Sequence, residues 1–73
     1  MTSNELVQEL RAAANGAADG GKVLTLNLFG IEFSEHLKDE NLPDLVERAG
    51  ISRSFSSELR RGMRLSEFVA LKR

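Results

Sequence analysis

Apolar residues recur at helical spacing through most of this chain. Leu6, Val7, Leu10 and Ala13 or Ala14 form one stripe, which predicts a helix near the N-terminus. Thr2 and Glu5 have the spacing of a capping box, with the Thr hydroxyl on an early amide and the Glu reaching back. Asn15-Gly16 is expected to end the helix as a pair tolerant of left-handed geometry. Gly16 to Gly21 then reads as a flexible loop with three glycines.

The next stretch carries two patterns at once. Leu24, Leu26 and Leu28 alternate as in a strand. Leu26, Phe29, Phe33 and Leu37 fall on one helical face. The preferred reading is a short extended entry at 22–24 followed by a helix from about 26 to 39. A lone strand needs a partner, and the tail 68–72 is the segment available to it. Farther on, Asn41 is a good N-cap, Pro43 is tolerated in a first turn, and Asp44 suits the positive end of the helix dipole. Leu42, Leu45, Val46 and Ala49 give that helix a buried stripe. Gly50 stops it where a left-handed residue is wanted. Ile51 plugs the core, Ser52 is the next cap, and a further helix runs from Arg53 to about Arg61 and ends at Gly62. Leu65 to Leu71 is either a short closing helix capped by Ser66 or the strand already mentioned. The expected fold is all-α: a small helical bundle forming a single domain over residues 1–73, with one two-stranded pairing of 22–25 with 68–72 left open. Its expected core is Leu6, Leu10, Leu26, Phe29, Phe33, Leu37, Leu45, Val46, Ile51, Phe55, Leu59 and Phe68.

Length and composition narrow the function. A chain of 73 residues buries only roughly 60% of its unfolded surface, which leaves little room for a substrate pocket. It is 41% hydrophobic and 29% charged, as an ordinary globular domain is, and it has no cysteine for a disulfide or a thiolate metal site. Apolar runs are far short of the ~20 residues that span a bilayer, and the N-terminus lacks the pattern of a signal peptide. The expected location is the cytoplasm, with no membrane partner. His36 is the single histidine, and alone on a helix it makes no metal site. No serine sits in a nucleophile elbow, and the glycines at 16, 20 and 21 lack the lysine and hydroxyl of a phosphate loop. Glu32, Glu35, Asp39 and Glu40 read as a solvated helix face. No enzyme activity, cofactor or small-molecule substrate is expected.

Charge is split along the chain. Residues 1–47 carry three bases and nine acids, net −6, and residues 48–73 carry seven bases and two acids, net +5, which together give the overall −1. Such asymmetry points to an anion-binding end, or to a solvated face paired with the acidic half.

Asn41 to Gly62 reads NLPDLVERAGISRSFSSELRRG. A short helix, a glycine turn with a buried Ile, a Ser cap and a second helix is the helix-turn-helix layout. The segment resembles the helix-turn-helix of the lambda-repressor-like (Cro/C1-type) DNA-binding proteins. Leu45 and Val46 stand at that motif's Leu-Ala pair, Gly50 at its turn glycine, Ile51 and Leu59 at buried positions, and Gly62 at the closing glycine. Val46 is larger than the usual alanine, Ser56 stands where an apolar residue is usual, and fewer than a dozen residues follow Gly62. The closing Leu-Ser-Glu-Phe-Val run also resembles small bacterial proteins of helix-turn-helix-like type.

The resemblance implies a DNA-binding protein, a small transcriptional regulator, with helix 53–61 in the major groove of duplex DNA. Arg53, Ser54, Ser57 and Glu58 would read bases, Arg53 on a guanine edge and Glu58 on cytosine. Asn41, Ser52, Arg60, Arg61 and Arg64 would hold phosphates. The N-terminal helix is expected to pack on this unit and to extend to a second copy, forming a homodimer. The alternative is a protein–protein interaction module with no DNA binding, because fold alone does not set function.

Overall fold

The computed structural model describes residues 1–17 and 21–69. They form five α-helices and one 3-10 turn: α1 (Ser3–Asn15), α2 (Lys22–Glu32), α3 (Ser34–Leu37), α4 (Leu42–Arg48), the 3-10 turn Arg53–Phe55, and α5 (Ser56–Leu65). No strand occurs among the described residues, and none of their helices is long and apolar enough to cross a membrane. The all-α expectation holds.

Local chemistry sets the helix ends much as the sequence suggests. At the start of α1 the Thr2 hydroxyl accepts from the Glu5 amide at 3.2 Å, and the Thr2 amide donates to the Glu5 carboxylate at 2.9 Å. Hydrogen bonds from the Thr2 backbone and then its side chain hold the Glu5 carboxyl below its usual range. The cap is therefore intact above the unfolded carboxyl's pKa and loosens as pH falls through the lower folded value. The helix does end at Asn15, but Gly16 is right-handed (φ −83°), so no left-handed residue closes it.

The extended entry expected at 22–24 is absent, as is the strand left open at 22–25, and these residues form the first turn of α2. Of the three alternating leucines, Leu26 is fully buried while Leu24 and Leu28 are 63% and 43% exposed. The helical face Leu26–Phe29–Gly30 won because it packs on α5, whereas a lone strand leaves its backbone unpaired. Residues 70–72 of the supposed partner strand lie outside the described residues. The continuous helix expected over 26–39 is instead broken at Phe33 (φ −107°, ψ 21°), where α2 ends and α3 begins. The Phe33 ring stacks on Phe29 with centroids 4.4 Å apart, and Leu37 is fully buried one turn later. His36 remains exposed on α3.

The core comprises Leu6, Val7, Leu10, Leu26, Phe29, Leu37, Leu42, Leu45, Val46, Ala49, Ile51 and Leu59, with Phe33, Phe55 and Met63 packed at its edge. Phe68 does not belong to it and is 77% exposed. Of the segment 65–71, expected as a closing helix or a strand, the described residues 66–69 form neither, and 70–71 lie outside the described residues. Residue 65 ends α5, and Ser66 caps the end rather than starting a new helix, its hydroxyl donating to the Met63 carbonyl at 2.5 Å.

The largest correction concerns Gly62. It does not close α5 but lies inside it, and α5 runs on to Leu65. Both Gly62 and Gly30 of α2 are buried, and their backbones touch. A Cβ on Gly62 would come within 2.9 Å of the Gly30 Cα and overlap the Asn27 carbonyl oxygen. A Cβ on Gly30 would come within 2.9 Å of the Gly62 Cα and overlap the Leu59 carbonyl oxygen. The two helices run in the same direction. Lys22 sits over the Phe55 ring at 5.7 Å, Asn27 meets Glu58 and Gly30 meets Gly62 in order along them.

Glycine substitutions separate these roles. In an open helix Gly→Ala stabilises by about 1 kcal/mol. Gly30→Ala and Gly62→Ala should do the reverse and cost about 1–3 kcal/mol or more, because backbone must move to admit the methyl group. The melting temperature should fall by about 4–8 °C per kcal/mol. Gly16→Ala meets only ordinary contacts, at 3.6 and 3.7 Å. It should be neutral or gain about 0.4–1 kcal/mol. Thermal melts of the three variants check this ordering, and a Gly62→Ala protein that melts higher than its parent would contradict the seam.

Candidate nucleic-acid interface

The helix-turn-helix consists of α4, the turn 49–52 and the 3-10 turn leading into α5. Asn41 caps α4, its side-chain oxygen accepting from the Asp44 amide at 3.1 Å. Pro43 lies in the first turn of α4 and Asp44 lends the dipole a negative charge. The far end is a Schellman closure. The Ile51 amide donates to the Val46 carbonyl at 2.9 Å and the Gly50 amide to the Glu47 carbonyl at 3.0 Å. Gly50 adopts φ +83°, the left-handed conformation that an L side chain resists, and its missing Cβ would meet nothing within 4 Å. Glycine is needed there for conformation and not for space. Ile51 and Val46 are both buried, so the polar closure has the apolar contact that usually accompanies it.

Beyond the turn, Ser52 accepts from the Ser54 amide at 3.4 Å. Residues 53–55 wind as a 3-10 turn rather than as the first turn of the α-helix expected from Arg53. Leu59 and Gly62 hold one side of α5 in the core. Ser57, Arg60, Arg61 and Arg64 follow at helical spacings of three and four on the opposite side, all exposed. Arg53 and Ser54 are exposed at the entrance to that surface. The outer face of the motif is thus a stripe of arginine and serine.

Not every residue expected at the site reaches this face. Glu58 is turned towards α2. Its side chain is only 19% exposed, accepts from the Asn27 amide at 3.5 Å and pairs with Arg61 at 3.4 Å. Asn27 is itself tied to the Val23 carbonyl at 2.6 Å. Nothing near Glu58 in the sequence marks Asn27 as its partner, because the two meet only through the glycine seam. Arg53 pairs loosely with Glu47 at 3.5 Å, both side chains well exposed, so the contact is cheap to exchange. Asn41 and Ser52 spend their side chains on their own helix starts. Arg48 belongs to a different cluster, reaching Asn4 at 2.5 Å and Asp44 at 4.0 Å, while Arg11 donates to its carbonyl at 2.7 Å. Four arginines (53, 60, 61 and 64) therefore serve the outer face.

Two helices, a left-handed glycine turn and an outward-facing second helix define a helix-turn-helix domain. A family profile described as an HTH-like domain matches residues 2–72, and the chain belongs to that family. Neither the curated proteins nor the solved structures give a match.

The geometry separates caps from surface residues in a stability assay. Asn41→Ala should cost about 1 kcal/mol through loss of the cap. Arg61→Ala and Arg64→Ala, on the open face, should stay within about 0.5 kcal/mol of the parent. Urea denaturation checks both, and an Arg64 variant as damaged as the cap variant would place Arg64 in the structure rather than on a free face.

Proposed function

We propose that this domain binds duplex DNA and acts as a small transcriptional regulator, docking in the manner of the Cro/C1-type proteins. The observation that carries the reading is the exposed stripe of Ser57, Arg60, Arg61 and Arg64 on the outer face of α5, with Arg53 exposed in the 3-10 turn that leads into it. Ser54 and Arg53 enter the major groove first and meet base edges, with Ser57 one turn behind. Arg60, Arg61 and Arg64 neutralise phosphates. Glu58 holds Arg61 in place rather than accepting from a base.

A second reading has its own support. Val23, Leu24 and Leu28 leave an exposed apolar strip on α2, which suits a protein contact. A homodimer would use that strip, because the Leu6, Val7 and Leu10 stripe of α1 is buried within its own fold.

A gel-shift titration against salt distinguishes the two readings. Neutralisation of three to four phosphates gives a logarithmic salt slope of about −3 to −4. Arg64→Ala should weaken all duplexes alike and lower the slope by about one unit. Arg53→Ala should cost about 1–3 kcal/mol on a preferred site and little on random duplex. No shift of any duplex at ~50 mM salt, with the circular dichroism helical, would overturn the DNA reading in favour of a protein partner.

A further inference from the structure

A groove of about 720 Å³ runs between α3 and the second half of α5. Glu35 and Lys38 line one wall, and Arg60, Met63, Arg64 and Glu67 line the other. Arg60 and Arg64 thus belong both to the exposed arginine stripe and to this groove. Lys38 faces them from the C-terminal cap of α3, outside the helix-turn-helix. It reaches the Glu35 carboxylate at 3.0 Å, with the two side chains 64% and 78% exposed. A pair that open to water contributes little and exchanges readily for a stronger anion. Lys38 on one wall faces Arg60 and Arg64 on the other, three cations against the two carboxylates Glu35 and Glu67. A channel with this excess of positive charge, continuous with the surface already assigned to the major groove, suits a chain of phosphodiesters.

We propose that this groove grips the DNA strand bordering the major groove, with Lys38 as a phosphate contact opposite Arg60 and Arg64. The inference rests on the DNA reading and adds a second wall to its surface. On binding, the Lys38 ammonium exchanges its carboxylate partner for a phosphate. Glu35 then becomes a like charge beside the strand, so it limits affinity. Lys38 and Glu35 substitutions therefore act in opposite directions, although each breaks the same ion pair.

Salt titrations of the full chain with a random duplex test this. Lys38→Ala should lower the magnitude of the salt slope by about one unit, which near 0.1 M salt is close to a tenfold loss of affinity. Glu35→Gln should tighten binding about two- to five-fold. Both residues are exposed, so the melting temperature should hardly move. If the parent binds and Arg64→Ala lowers the slope while both variants match the parent, the groove proposal is overturned and the DNA reading stands. If both variants weaken binding equally, the intact ion pair is what matters and the phosphate contact is refuted. A parent that binds no duplex overturns both readings.

Discussion

Everything on the outer face depends on two glycines meeting inside the molecule. Gly30 and Gly62 let the backbones of α2 and α5 touch, so main-chain atoms meet at the point where the two helices pack most closely. A seam of this kind leaves little freedom for rotation, because a turn of either helix would drive a neighbouring side chain into backbone. It fixes which side of α5 looks inward, with Leu59 buried beside Gly62. The outward side follows from helical geometry, and it carries Ser57, Arg60, Arg61 and Arg64. The same seam brings Asn27 against Glu58, which withdraws the one acid of α5 from the arginine face and sets it beside Arg61.

A small chain has few other means of holding such a face. With no cysteine and only one layer of core, stability rests on apolar packing and on well-made helix ends. The Schellman closure after α4 satisfies its last carbonyls and places Ile51 in the core in the same step. The capping box of Thr2 and Glu5 does the corresponding work for α1. A cross-link between distant segments is supplied by Arg48 and Arg11, which tie the end of α4 to α1. The acidic half of the chain is thereby partly used in structure, Asp44 on Arg48 and Glu40 on Ser3, while the arginines of α5 stay outward.

Features whose cause is local were legible in the sequence. Caps at Thr2 and Asn41 and the turn at Gly50 each depend on a few neighbouring residues, and each stands where the pattern puts it. Features set by distant contacts were not. Gly62 carries the same local signal whether it ends a helix or admits another backbone, and only Gly30, far away in the sequence, decides between them. The start of α2 was obscured because Leu24 and Leu28 are apolar yet exposed, which blurs helical periodicity into alternation. Phe68 looked like core by helical spacing, but it lies just past the end of α5 and is 77% exposed. For the site, the arginines were visible as a charge cluster, whereas the withdrawal of Glu58 and the approach of Lys38 depend on how α2 and α3 pack against α5.

The most direct test of this account is an amide chemical-shift map of the labelled protein titrated with a short duplex at low salt. The account predicts shifts confined to Arg53, Ser54, Ser57, Arg60, Arg61, Arg64 and Lys38, with Gly30 and Gly62 unmoved because the seam stays closed. Shifts centred on α1, on the Leu24–Leu28 strip or across the glycine seam, or no shifts at all, would contradict it.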